Sequence, residues 1–398
     1  MISRENYIQK IKPFIGKDIV KIITGIRRSG KSSLLELIKI ELLNKGAEPS
    51  QFLTINFEDL SYQNLSVSEI NEIIKNFCYD NPKDSYIFLD EVQEISGWEK
   101  LVNSLRVTTS ADLYITGSNS NLLSGELATH LAGRYIEIPV FPLSFKEISE
   151  WNNSSIHLNS ENLFQRYVKL GGFPFIYASG LDDQAALSYL LDIYQSIMLK
   201  DVVARYGLRD IELLNRVFLY FFSNFSQTFS GSSITAFLKN EKRSISQETL
   251  YNYIAYAQEA FLIHLVPRYD IKGKRSLSFQ EKLFIADTGI REAVFGYNER
   301  DISQVLENIV FLELLRRGYT VNIGKFDDNE IDFVCAKAGE RLYLQVAYML
   351  VEDRTIEREF SSLEKINDNY PKMVLSLDKF DRRRNGIRHQ NIIDFLLE

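Results

Sequence analysis

Aliphatic and β-branched runs recur along the first third of the chain, and most of them close on glycine or on acids. Residues 18–25, DIVKIITG, are such a run and predict a buried strand. Apolar side chains then fall at 34, 35, 37, 38, 40, 42 and 43, and Gly46 stops the pattern, which predicts a helix of about three to four turns. Further strands are expected in QFLTINFEDL (51–60), YIFLDE (86–91), ADLYIT (ending at Thr116) and GRYIEIPVFPLSF (133–145). Helices between them complete the alternation of a doubly wound parallel sheet, so the fold class is α/β. Beyond it, residues 146–207 read as a helical lid or connector interrupted at GGFPF (171–175). Residues 208–276 hold two helical stretches, SITAFLKN and SQETLYNYIAYAQEAFLI, with Ser246 as N-cap of the second. The hairpin FLIHLVPRYDIKGKRSLS follows, and the order is that of a winged-helix-like module. Residues 277–398 return to a mixed pattern: a helix over 305–320, then strands in VNIGKF, NEIDFVCAK and RLYLQVAYML. The chain therefore divides, on pattern, into 1–145, 146–207, 208–276 and 277–398.

The chemistry sits at two of the strand ends. Residues 25–32 read GIRRSGKS, which fits G-x-x-x-x-G-K-[ST] between a strand and a helix. Gly25 and Gly30 let the backbone curl so that successive N–H groups face an anion, and the helix that follows points its positive end at the same place. Gly25, Ile26, Arg27, Arg28, Ser29, Gly30, Lys31, Ser32 and Ser33 are the candidate nucleotide-binding residues. Lys31 is suited to the β- and γ-phosphates and the Ser32 hydroxyl to Mg²⁺. YIFLDE supplies an independent second element, because ligands of open α/β sheets bind outside the carboxyl ends of the strands. There Asp90 is the candidate Mg²⁺ partner and Glu91 the candidate polariser of an attacking water. The chain shows no N/T-K-x-D base-reading motif of the GTPase type, so ATP is the expected nucleotide.

Bulk composition narrows the setting. A hydrophobic share of 45% with 25% charged residues is that of a globular protein, and the N-terminus MISRENY turns polar at Ser3. No apolar run approaches the length that spans a bilayer, so no membrane partner is expected. Two distant cysteines, Cys78 and Cys335, fit a reducing cytoplasmic compartment, and four scattered histidines form no ligand pattern. The net charge of −7 argues against a protein coated for nucleic acid and leaves room for local basic faces at Lys272–Arg275 and at Arg382, Arg383, Arg384 and Arg388. On the module at 208–276, Gln247, Thr249, Tyr251 and Asn252 of the second helix, with Lys272, Lys274 and Arg275 on the hairpin, are what a DNA contact would use. The same layout also serves as a packing module, and the second helix carries no lysine or arginine.

GIRRSGKS, FLDEVQ, ITGSNSNLL and LAGRYIEIPVFPLSF together resemble an AAA+-related family of prokaryotic P-loop ATPases of the additional-strand, catalytic-glutamate branch, which usually carries a C-terminal domain of unknown function. The resemblance implies that Ser118 or Asn119 is the polar sensor beside the γ-phosphate. It also implies an arginine-finger role for Arg134, in cis or, within a homo-oligomer, in trans. A salt-bridged strand-edge residue is the competing reading of Arg134.

The last segment resembles the PD-(D/E)XK nucleases, in which a carboxylate pair holds the metal and a lysine supports the attacking water. Glu307 matches the helix acid and Asp332 of EIDF the central aspartate. The E-x-K element is here Gln345-Val346-Ala347, and an amide and an alanine replace neither a metal-binding carboxylate nor the lysine. The expectation is a nuclease-like fold without nuclease activity, with Lys325 or Lys337 as the candidates for a displaced ammonium. Three functions fit these residues: a Mg²⁺-dependent ATPase acting as switch or motor on a macromolecular partner, an ATP-regulated DNA nuclease, and a non-hydrolytic nucleotide-binding scaffold. Glu91 argues against the last, because a pure binder has no use for a carboxylate there.

Overall fold

The computed structural model describes the chain apart from residues 82, 83, 121–130, 132, 156, 157 and 297. The crossover expected after the fourth strand falls largely on 121–130 and 132, outside the described residues, as do His130 and His157. The chain forms two compact units, Met1–Pro142 with Glu259–Phe261, and Leu143–Gln258 with Leu262–Glu398. Among the described residues no helix is long and apolar enough to cross a membrane.

In the first unit, β1 (Val20–Thr24), β2 (Phe52–Asn56), β3 (Tyr86–Asp90), β4 (Asp112–Gly117) and β5 (Tyr135–Pro139) form a parallel sheet in the order β2-β3-β4-β1-β5. Successive side chains of a strand face opposite sides, so each strand serves two cores. Ile23, Phe88, Tyr114 and Ile138 pack with the helices Glu5–Ile11 and Lys31–Asn44 on one face. Ile22, Leu89, Leu113 and Ile115 pack with Val67–Asp80 and Trp98–Thr108 on the other. Phe88 and Tyr114 stack at 4.9 Å across neighbouring strands. Lys21, buried in β1, is tolerated because it pairs with Asp112 of β4. The strand that separates β1 from β3 in space is β4, although it comes last of the three in sequence.

The second unit begins with helices Phe145–Ser155, Ser160–Leu170, Asp183–Ser196, Ile211–Ser223, Gly231–Asn240 and Gln247–Glu259. Its sheet comprises β6 (Gln227–Thr228), β7 (Ile263–Asp270), β8 (Arg275–Ile285), β9 (Thr320–Phe326), β10 (Asn329–Lys337), β11 (Glu340–Val346), β12 (Lys372–Ser376) and β13 (Arg388–Asn391), in the order β13-β12-β11-β10-β9-β7-β8-β6. The hairpin β7–β8 is thus interior to the sheet that holds the C-terminal strands, through the parallel pairing of β7 with β9. This corrects the expected boundary between 276 and 277: β8 runs through it to Ile285, and the ladder joins both sides into one sheet. The boundary expected between 207 and 208 likewise separates no compact units. Helix Ile302–Arg316 is anchored to β8 by Asn308, whose side chain accepts the Ile285 N–H (2.9 Å) and donates to the Ile285 carbonyl (3.0 Å).

Candidate functional site

The loop after β1 takes conformations that explain its glycines. Gly25 has φ +143°, and a Cβ there would lie 2.2 Å from the Val140 carbonyl oxygen. Gly30 has φ +98° and caps helix Lys31–Asn44, whose first turn carries Lys31, Ser32 and Ser33. Arg28 is also left-handed (φ +67°) and is exposed, while Ile26 is buried. Ser29 is buried, its Oγ has no hydrogen-bond partner among the described residues, and its carbonyl accepts from Arg4 Nη1 (3.1 Å). Arg4 also donates through Nη2 to the Phe141 carbonyl (2.9 Å), and Tyr7 Oη accepts the Phe141 N–H (3.1 Å). The segment before the first helix therefore ties the loop to the exit of β5. Pattern reading missed this, because the partners lie up to 137 positions apart.

The DE pair arrives at the same place by the geometry of the sheet. Glu91 itself has φ +54°, ψ +52°, a left-handed conformation that a non-glycine residue holds only when its surroundings impose it. Thr116 of β4 imposes it: its Oγ1 accepts the Glu91 N–H (2.9 Å) and donates to Asp90 Oδ1 (2.5 Å). Asp90 also accepts from the Ser32 side chain, joining the DE pair to the first turn of the helix. Burial pushes the Asp90 carboxyl above the usual carboxylate range, and the Thr116 and Ser32 bonds only moderate it. Glu91 is buried as well, which alone would raise it. The Lys31 ammonium, the Gln93 amide and the Arg27 guanidinium more than offset the burial and hold it below its ordinary value. Lys31 Nζ lies 3.4 Å from Glu91 Oε1 and donates to the Gly25 (3.2 Å) and Ile26 (3.4 Å) carbonyls. Arg27 pairs with Glu58 at 3.2 Å. Gln93 Nε2 donates to Glu91 Oε2 (2.5 Å) and to Ser118 Oγ (3.3 Å). Ser118 and Asn119 are both buried at the exit of β4.

An ammonium, a serine hydroxyl and two carboxylates of different proton affinity thus converge at the carboxyl end of a parallel sheet, against a helix N-terminus. That set, with the buried Ser29 Oγ lacking a partner among the described residues, fits a polyphosphate and its divalent cation: Ser32 and Asp90 would hold the cation, and Lys31 the phosphates. Arg134 is not brought to it. It stands at the entry of β5, 57% exposed, paired with Asp18 at 3.1 Å. Since Val20 pairs with Tyr135 and Thr24 with Pro139, Arg134 stands about 20 Å along the strands from the start of the loop at Gly25.

The residues that match the nuclease pattern gather in the second unit with different partners. Lys282 of β8 lies 2.6 Å from Glu307 Oε1 and 3.1 Å from Glu330 Oε1. Asp332 Oδ2 accepts the Val346 N–H (2.8 Å). Gln345 Oε1 accepts the Asp332 N–H (2.6 Å), and its Nε2 donates to Glu359 (3.0 Å). The ammonium of this cluster is Lys282. Lys337 donates instead to the Arg317 carbonyl (2.7 Å), and Lys325 on β9 pairs in register with Glu330 on β10. Burial pushes Glu307 up to about 8 and Asp332 to about 6, while the carboxylates around Lys282 push its ammonium up. Among the described residues no three His, Cys, Asp or Glu side chains form a set that could hold a metal ion. The basic hairpin tip is also engaged: Lys272 pairs with Asp327 (3.2 Å), Arg275 lies 4.0 Å from Asp270, and the Ile271 N–H reaches the Lys325 carbonyl.

Sheet order, loop and acids define a P-loop domain of the AAA type, and a family model described as an AAA domain matches residues 17–149. A second model, a domain of unknown function (DUF8612), matches 161–301. The chain is 39% identical to an uncharacterized protein of Haemophilus influenzae, over 100% of this chain and 99% of that protein. It is 33% identical to the uncharacterized protein MJ1544 of Methanocaldococcus jannaschii, over 87% of this chain and 78% of that protein. The protein belongs to the family of these relatives. Among solved structures, the Walker-type ATPase PABY2304 of Pyrococcus abyssi shares the fold at TM-score 0.51 and 15% identity, over 74% of this chain and 96% of that one.

Proposed function

We propose that this protein is a cytoplasmic Mg²⁺-dependent ATPase that binds ATP on residues 25–33 and uses its hydrolysis as a switch on a macromolecular partner. The observation that carries the reading is the convergence of Lys31, Ser32, Asp90 and Glu91 on one point, with Glu91 held anionic by its neighbours. An anionic carboxylate is the form that accepts a proton from water. The loop N–H groups and Lys31 would orient the phosphates; Thr116 fixes Asp90 and Glu91 relative to each other. Mg²⁺ would neutralise charge on the phosphate oxygens. A bound phosphate would compete with Glu91 for Lys31, now 3.4 Å from it, so nucleotide binding would loosen that ion pair and release the base.

A second reading concerns the partner. The order helix Ile211–Ser223, β6, helix Gly231–Asn240, helix Gln247–Glu259 and hairpin β7–β8, with β6 on β8, supports a winged-helix reading of this segment, and that reading favours duplex DNA. Tyr251, Gln247 and Asn252 are exposed on its second helix of the pair. The engaged hairpin tip leaves that helix to make the contact. The Lys282-neutralised cluster favours no nuclease step.

The test is Mg²⁺-dependent phosphate release from ATP by the native protein, Lys31→Ala and Glu91→Gln, with and without duplex DNA. Both variants lose turnover, and Glu91→Gln keeps its affinity for ATP. DNA that changes turnover supports the winged-helix reading; a native protein that binds ATP without turnover leaves a scaffold, and one that binds no nucleotide overturns the proposal.

A further inference from the structure

The mechanism above leaves one buried polar group of the site unused. Glu91 Oε1 faces Lys31 (3.4 Å) and Oε2 takes the Gln93 Nε2 donation (2.5 Å). A carboxylate only accepts, so the NH₂ end of the Gln93 amide must face it, and the amide orientation is set by chemistry. The second donation of that nitrogen goes to Ser118 Oγ (3.3 Å). The carbonyl end, Gln93 Oε1, is buried with no hydrogen-bond partner among the described residues. A buried acceptor without a donor costs free energy, and this one adjoins the carboxylate read as the general base.

A water positioned for in-line attack has two protons to place. Glu91 accepts one, and a second acceptor is needed to stop the water rotating about that single bond. We propose that Gln93 Oε1 is this second acceptor, so that Gln93 and Glu91 hold the attacking water between them while the Gln93 nitrogen ties both to Ser118. The inference rests on the hydrolytic reading above. In the step, the water oxygen forms the new bond to the γ-phosphorus as the bridging oxygen leaves with ADP. One water proton passes to Glu91, and the other stays hydrogen-bonded to Gln93.

Gln93→Met keeps length and bulk and removes both donor and acceptor. Single-turnover hydrolysis and affinity for a fluorescent ATP analogue are measured on the full-length native protein, Gln93→Met, Glu91→Gln and the double variant. Gln93→Met hydrolyses about 10²-fold more slowly with affinity within about threefold of native. The double variant is no slower than Glu91→Gln alone, because two groups that hold one water act as a unit. Native rates in Gln93→Met overturn the proposal and leave the ATPase reading intact. A parallel loss of affinity and rate, or losses that multiply in the double variant, also overturns it. A native protein that binds ATP without turnover overturns both readings.

Discussion

Thr116→Val removes one hydroxyl and keeps the shape, at a residue with no solvent exposure. That hydroxyl donates to the buried Asp90 carboxylate and accepts the Glu91 N–H. The first bond, to a charged group, contributes about 1.5–3 kcal/mol, and an orphaned buried N–H costs about 1–3 kcal/mol. The left-handed Glu91 backbone then loses the contact that holds it, so we expect a loss of about 3–5 kcal/mol, a large part of a typical domain's stability. The two tryptophans separate the units: Trp98 is in the first and Trp151 in the second. In a Trp151→Phe background, urea unfolding followed by Trp98 fluorescence reads the first unit alone. The deficit depends on pH. Burial already raises the folded-state Asp90 pKa above its unfolded value, and loss of the Thr116 donation raises it further. The variant's deficit is therefore largest at neutral pH, and it shrinks as pH falls through the folded pKa toward the ordinary carboxylate range, where protonated Asp90 no longer needs a donor. A midpoint equal to the parent's, or a deficit that grows toward acid, refutes the reasoning.

Other outcomes follow from the same geometry. Gly25→Ala meets the Val140 carbonyl at 2.2 Å, whereas Gly46→Ala, also at positive φ, meets nothing within 4 Å; calorimetry should show the first melting well below the second, and equal melting points would dismiss the steric argument. Glu307 is raised to about 8 from 4.5, so the folded state keeps a proton that the unfolded chain has lost, and stability falls as pH rises across that window, by at most about 1.4 kcal/mol per unit. Trp151 fluorescence in a Trp98→Phe background should show this slope in urea, and Glu307→Gln should flatten it; an unchanged slope assigns it elsewhere. Arg134→Ala breaks an exposed pair with Asp18 and should change stability by no more than about 0.5 kcal/mol. If ATP turnover nevertheless drops, and does so in a way that depends on protein concentration, a finger supplied in trans is the explanation; unchanged turnover removes Arg134 from the site.

The loop GIRRSGKS and the acids of YIFLDE were legible because each is a contiguous stretch whose neighbours in sequence create its geometry. A strand, two glycines and a helix start make an anion cradle wherever they occur together, and a hydrophobic run ending in acids puts them at a strand's carboxyl end. Helix Ile302–Arg316 and β10 were readable for the same reason, and so were Glu307 and Asp332 upon them. Thr116, Gln93 and Arg4 were not. A threonine in ITGSN, a glutamine after DEV and an arginine near the start have no periodicity to announce them, and their roles exist only through partners brought near by the sheet or the loop. The ammonium of the second cluster was sought on the neighbouring strands β9 and β10 and is supplied by Lys282 of β8. The hairpin that pattern assigned to a separate module pairs with β9 instead.

Local sequence thus carries the alternation of strands and helices, the phosphate loop and the two acids, since backbone conformation and hydrophobic period act over a few residues. Strand order does not follow from it. Placement of β4 between β1 and β3 is a choice among long-range pairings of similar local strength, and it is that placement which gives Thr116 its hold on the acids. Charge balance in the second unit is likewise collective: whether a buried glutamate binds a metal or a lysine depends on which cation the finished sheet delivers to it, and here the sheet delivers Lys282.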